Sequence, residues 1–394
     1  MKKRTAIAAA ATGLLIGYGA IRMFQARAAL FAPPPPIPHD PQRYARNGRA
    51  LAVAEVLRTL AGGAALADGP IGTTLDAWTD GAPPGLRPAL FFAALSLGDA
   101  LSSLPIGYVE GHLRERRYGL SEQPARTWLI DELKGALIGT AVTAGLAALF
   151  GTAVRRAPNA WPIYASLGAL PLLILGNIVV PIYVLPLFNR FEPLEGPLEV
   201  RLRTLASRYG CGDAQILRMD MSRQTKKANA FVVGIGRTHR IVIGDTLLEH
   251  FTDDEITFVV AHELGHYVAA DTWRLIGLGE ALATTVFIAA YFMIPREERE
   301  RLRDRPLLLA RFVFAMQLVS QALRPLLFAF SRSREWAADR FALAATGDPA
   351  SGAAAFTRLR DQNLADEDPP RWFELLFGSH PSLRERIAAL QPRR

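Results

Sequence analysis

Five stretches of roughly twenty mostly apolar residues punctuate this chain: Ala89 to Val109, Gly135 to Val154, Tyr164 to Leu187, Leu275 to Ile294 and Leu307 to Phe330. A helix of that length crosses the hydrocarbon core of a bilayer, and it does so with every backbone group satisfied internally. The fold class implied is mainly α, a multi-pass transmembrane helical bundle or barrel. A further apolar run, Thr5 to Met23, follows Lys2, Lys3 and Arg4 and reads as a membrane anchor or a signal segment. A weaker one, Ala50 to Ala67, carries Glu55 and Arg58, which makes six spans with a seventh candidate. The proline run from Ala32 to Pro41 cannot be helical and reads as a stiff connector.

Composition narrows the chemistry. A net charge of +8 over 394 residues raises nucleic-acid binding, but in a chain with membrane spans arginine-rich cytoplasmic loops are the commoner cause. The loop "EGHLRERRYGLSEQPARTW", Glu110 to Trp128, is one, and with it inside, Arg190 to Arg274 and the C-terminal tail also face the cytoplasm. The single cysteine, Cys211, allows neither an internal disulfide nor a cysteine-based zinc site, and no histidine stands near it for a thiol mechanism.

Between the third and fourth of the five clear spans lies a polar block with mixed patterning. "LEVRLRTLASRYG" has a helical pattern, while Phe231 to Ile235 and Arg240 to Ile243 are β-rich and read as a hairpin. Thr252, with Glu255 three residues on, then marks a helix start. That helix carries "FVVAHELGHYVAADTW", with His262 and His266 four positions apart and therefore on one face. Two imidazoles one turn apart can hold one zinc ion, and Glu263 beside them can take a proton from the water that the ion acidifies. The competing reading is a pair of satisfied histidines on a buried helix. The apolar neighbours Val259, Val260, Ala261 and Leu264 weigh against it, because buried imidazoles and a carboxylate need partners.

A catalytic zinc site takes a third protein ligand and keeps one position open. Glu335, in "SRSREWAADRFAL" just past the last span, is the best candidate, and Asp339 lies four residues on, placed to orient a ligating histidine. Elsewhere an E-x-x-x-D pair is commonly a solvated helix face. His380 and Arg386, in "GSHPSLRERIAAL", suit the charge of a developing oxyanion, or else belong to a capped surface helix. Asn229 opens a strand that can pair with an extended peptide or be an ordinary core strand.

These residues together resemble the type I CAAX prenyl protease family of integral-membrane zinc endopeptidases, in a bacterial-type form. The resemblance rests on HELGH at His262 to His266, "SRSREWAAD" from Ser331, "SHPSLRERI" from Ser379, "LPLFNRFEPLEGPLEVRL" from Leu185, "YVEGHLRERRYGLSEQPARTWLIDELKG" from Tyr108 and "ANAFVVGIG" from Ala228. It implies one Zn2+ ion on His262, His266 and Glu335, with Glu263 as general base. It further implies Asp339 behind the ligands, His380 and Arg386 acting on substrate or transition state, and Asn229 and Ala230 on a substrate-aligning strand. The helices would enclose a chamber beside a zincin-like cytoplasmic α+β protease domain.

Four regions result: an amino-terminal membrane helix over 1–31, a linker with the weak extra span over 32–88, membrane helices over 89–187, and a metallopeptidase domain over 188–394 that includes two spans. The expected partners are the bilayer and a peptide or protein substrate, membrane-associated or cut near its C-terminus and in some cases prenylated, with no nucleic acid. The expected location is a bacterial inner membrane with the zinc site toward the cytoplasm. A broad quality-control protease and a catalytically silent lipid- or peptide-binding chamber are the competing functions; intact His262, His266, Glu335 and Glu263 argue against the silent one.

Overall fold

The structure is a computed structural model, and it describes residues 40–67, 69–293 and 306–391. The Thr5 to Met23 span, the region 1–31, the proline run up to His39 and the Pro295 to Arg305 loop lie outside the described residues.

Six described helices are long and apolar enough to cross a membrane, and each of the five clear stretches falls on one of them. Helix α1 is Pro41–Ala67, and a short α2, Pro70–Trp78, follows it. α3, Arg87–Gly107, contains Pro105 and passes through a π-helical turn, Tyr108–Arg114, before ending at Arg117. α4 is Ala125–Arg156, and α5, Trp161–Val179, continues as tighter and wider turns to Leu187. Apolar side chains point outward from these helices, as lipid contact requires: Leu137, Leu167 and Leu326 are 65%, 70% and 68% exposed. The weak stretch Ala50 to Ala67 belongs to α1. Its Arg58 lies 2.6 Å from Glu55 and 2.8 Å from Asp99 on α3, so its charges are compensated among themselves rather than offered to lipid. Glu55 and Asp99 line a cavity of about 1220 Å³ with Glu110, Glu115, Asp131 and Glu132, whose walls from α1, α3 and α4 are otherwise largely apolar.

After α5 comes a four-stranded sheet in the order β1-β2-β4-β3, made of Phe191–Pro193, Gln215–Met219, Ala230–Val233 and Arg240–Gly244. The expected hairpin is the antiparallel β3–β4 pair, with Ala230 opposite Ile243. β2 runs parallel to β4, reached across the connection between them. Helices α6, Pro197–Arg208, and α7, Asp245–His250, pack with the sheet around α8, Asp253–Val268. The capping box is present: Glu255 N donates to Thr252 Oγ1 at 3.3 Å and Thr252 N to Glu255 Oε2 at 2.8 Å. Ile256, Phe258, Val260, Ala261 and Leu264 are all buried, so α8 is the central helix of the domain.

α9, Asp271–Met293, returns to the membrane, and α10, Pro306–Thr346, comes back from it. At 41 residues α10 is about 60 Å long, twice the hydrocarbon thickness, so one half spans while the other projects into the protease domain. That projecting half meets α8 at Gly265, where a Cβ would stand 3.0 Å from Ala338 Cα and 3.2 Å from Phe341 Cβ. Glycine makes this close approach easy, where a side chain would push Ala338 and Phe341 away by a few tenths of an ångström, and the approach delivers Glu335 and Asp339 to the histidines. Helices α11, Pro349–Gln362, α12, Arg371–Phe377, and α13, Leu383–Leu390, complete the domain. The arginine-rich loop docks on the same domain: Lys226 N donates to Leu120 O at 2.7 Å and Ser121 Oγ to Gln224 O at 2.6 Å.

Candidate active site

Helical periodicity places His262 and His266 side by side, their Nε2 atoms 3.3 Å apart. Glu335 on α10 sets one carboxylate oxygen 3.3 Å from each of them. The far side of each ring is held by a carboxylate: His262 Nδ1 lies 2.8 Å from Asp339 Oδ1, and His266 Nδ1 lies 2.9 Å from Asp271 Oδ2. A carboxylate can only accept, so each Nδ1 carries the proton and each Nε2 presents a lone pair. Two lone pairs and a carboxylate therefore converge, and Glu335 Oε2 is buried without a hydrogen-bond partner.

Three acceptors aimed at one another require a cation between them. A proton is one answer: burial disfavours charge on His262, but the Asp339 and Glu335 carboxylates beside its ring outweigh that and push its pKa up to about 9. A divalent ion is the better fit, since ligand bonds of about 2.0–2.1 Å in tetrahedral array separate donor atoms by about 3.3–3.4 Å. His262, His266 and Glu335 thus suit a small divalent metal.

Glu263 lines the same cleft, a space of about 690 Å³. Withdrawal from water pushes its carboxyl pKa above the usual range, with the two histidines opposing the shift. Arg386, buried, donates from Nε to Asp339 Oδ2 at 2.9 Å and from a terminal nitrogen to Oδ1 at 2.6 Å, and its other terminal nitrogen lies 3.5 Å from Glu335. Its guanidinium thus pairs with Asp339 behind His262, reaches toward Glu335 and also lines the cleft. His380 is exposed, with Nε2 3.5 Å from Glu335 Oε1 and Nδ1 2.8 Å from Ser379 Oγ. Asn229 and Ala230 line the cleft along β3. All the residues singled out from the sequence are therefore brought together here.

Asp271 was not among them. It follows Ala270, whose φ of 55° is a left-handed conformation rarely adopted by residues with a side chain, and that turn folds Asp271 back onto His266. Arg334 Nε donates to its other oxygen at 2.7 Å. In sequence Asp271 reads only as the start of the next helix.

Comparison with known proteins bears on what this geometry does. The profile of peptidase family M48 matches residues 194–394, and that of the CAAX prenyl protease N-terminal region, described as five membrane helices, matches residues 49–190. The chain belongs to peptidase family M48. Among M48 relatives, a protein of Bacillus subtilis named uncharacterized metalloprotease YhfN is 30% identical over 79% of this chain and 75% of its own. CAAX prenyl protease 1 of Saccharomyces cerevisiae is 27% identical over 76% and 71%. The crystal structure of S. mikatae Ste24p shares the fold, with a TM-score of 0.81 at 22% identity over 97% of this chain and 96% of that one. This M48 member is an integral multi-pass membrane metallopeptidase, a helical chamber joined to a C-terminal protease domain.

Proposed function

We propose that the chain is a zinc endopeptidase holding one Zn2+ on His262, His266 and Glu335 and cutting peptides of membrane-associated proteins at or near their C-termini. The observation that carries the reading is the convergence of three acceptors, buried His262 and Glu335 and half-buried His266, each imidazole oriented by its own carboxylate. When bound, zinc supplies the Lewis acidity that lowers the pKa of water and polarises a carbonyl. Two nitrogens and one carboxylate with an open position favour zinc over harder ions.

The chain's own residues supply the rest. Glu263, its basicity raised by the dry cleft, takes the proton of the attacking water and returns it to the departing amine. His380 stands exposed beside Glu335, where it meets the oxyanion. Arg386 acts behind the site, fixing Asp339 and so the ring of His262. Ala230 presents the edge of β3 to an extended substrate, with Asn229 lining the cleft beside it. The membrane helices over 89–187 form one region, and the segment 188–394, with its two further spans, forms the metallopeptidase region. The cytoplasmic membrane of a bacterium, with the cleft inside, is the expected location, because the arginine-rich loop lies on the protease domain. CAAX prenyl protease is the name that several relatives carry, so a lipidated C-terminal segment is one substrate within this class.

The test is hydrolysis of quenched fluorescent peptides by the detergent-purified protein. Cleavage should cease on chelation and return with zinc. Cleavage indifferent to chelation would refute a metal mechanism.

A further inference from the structure

Strand β3 lies at the edge of its sheet, paired with β4 on one side only. In an antiparallel ladder, successive residues turn their backbone N–H and C=O alternately toward the partner and away from it. Asn229 O accepts from Gly244 N at 3.0 Å, so Asn229, Phe231 and Val233 face β4, while Ala228, Ala230 and Val232 face the cleft side.

Two of those three residues are engaged. Ala228 N donates to Asn363 Oδ1 at 2.8 Å, and Asn363 Nδ2 donates to Ala228 O at 3.1 Å. A planar amide with one donor and one acceptor here reproduces the edge of a neighbouring strand. At the other end, the Val232 N–H faces the Glu263 carboxylate and favours its charged form. Between them Ala230, buried and lining the cleft, turns both backbone groups outward without a hydrogen bond among the described residues. Buried backbone groups require partners, and an extended peptide brings both.

We propose that Asn363 sets the register of the substrate: its amide seals the strand edge at Ala228, so that a peptide pairs at Ala230 and leaves the edge beyond it. This rests on the peptidase reading of the cleft and names the feature that selects which bond is presented. The seal is firmly mounted. Asn363 caps the C-terminal end of α11, and the next residue, Leu364, is buried at φ 49° in a cluster with Tyr44, Tyr118 and Leu120. The neighbouring Gln362 Nε2 donates to Lys226 O at 2.7 Å, two residues farther from the cleft, and touches no part of the edge that a substrate would use.

The full-length protein, purified in detergent, is given a library of proteome-derived peptides, and the cut positions are read by mass spectrometry. Asn363→Ala should add secondary cuts displaced by about two residues, the spacing of equivalent edge positions on a strand. Asn363→Asp, which keeps an acceptor for Ala228 N–H but sets an oxygen against Ala228 O, should show a weaker form of the same change. Gln362→Ala removes a comparable hydrogen bond from the same segment and should leave the positions as in the wild type. An unchanged pattern in folded Asn363→Ala, or a shift shared by Gln362→Ala, would overturn the proposal. If the wild type makes no chelator-sensitive cut, the peptidase reading fails instead, and amide exchange decides the seal. Protection of Ala228 N–H in the wild type and its release in Asn363→Ala would uphold it; equal exchange in the two would overturn it.

Discussion

Replacing Glu263 with Gln should lower turnover by roughly 10²–10⁴-fold, the usual contribution of a positioned general base. That corresponds to about 3–5 kcal/mol of barrier. Glutamine has the same shape, and its carbonyl can still face the Val232 N–H, so the fold has no reason to change. Glu263 is not among the converging ligand atoms, so metal content should stay at the wild-type level. KM should move little, because the proton transfer occurs in the transition state and not on binding. Single-turnover kinetics beside metal analysis of the same sample checks both halves. Loss of the metal together with activity would mean that Glu263 belongs to the ligand set.

Asp339→Ala should damage two things at once. Asp339 is buried, receives two hydrogen bonds from Arg386, and holds His262 Nδ1. Its loss strands a buried guanidinium, which costs about 3–5 kcal/mol of stability. It also frees the His262 ring, which should weaken metal binding by about 10–100-fold. The two effects separate in the double variant with Arg386→Met: removing the stranded charge should recover most of the stability while metal affinity stays low. Thermal melts and competition titration against a chelator read the two quantities. Recovery of affinity along with stability would assign Asp339 to Arg386 alone.

The sequence and the structure agree where the information is local. His262 and His266 at i and i+4, Glu335 and Asp339 at the same spacing, and the Thr252–Glu255 cap are set by helical geometry and could be read directly. So could the spans, since length and hydropathy alone define them. Asp271 and Asn363 escaped notice because each acts through a break in a helix, at Ala270 and before Leu364, and left-handed residues that are not glycine give no compositional signal. Glu55 and Arg58 made the Ala50 to Ala67 stretch a weak span candidate; their pairing is local, but the further partner of Arg58, Asp99, lies on another helix and is invisible to any local window. The pairing of β2 with β4 is likewise a long-range fact. Arg386, suited by its chemistry to an oxyanion, lines the cleft and also pairs with Asp339, a partner that its own segment of sequence does not show.

The central claim is that one zinc ion held by His262, His266 and Glu335 performs the hydrolysis. Metal content and peptide hydrolysis measured on the same preparations of wild type and Glu335→Ala test it most directly. The account predicts about one zinc per chain in the wild type, the occupancy of a single tetrahedral site, and loss of both zinc and activity in the variant. Full zinc content in Glu335→Ala, with activity intact, would contradict it.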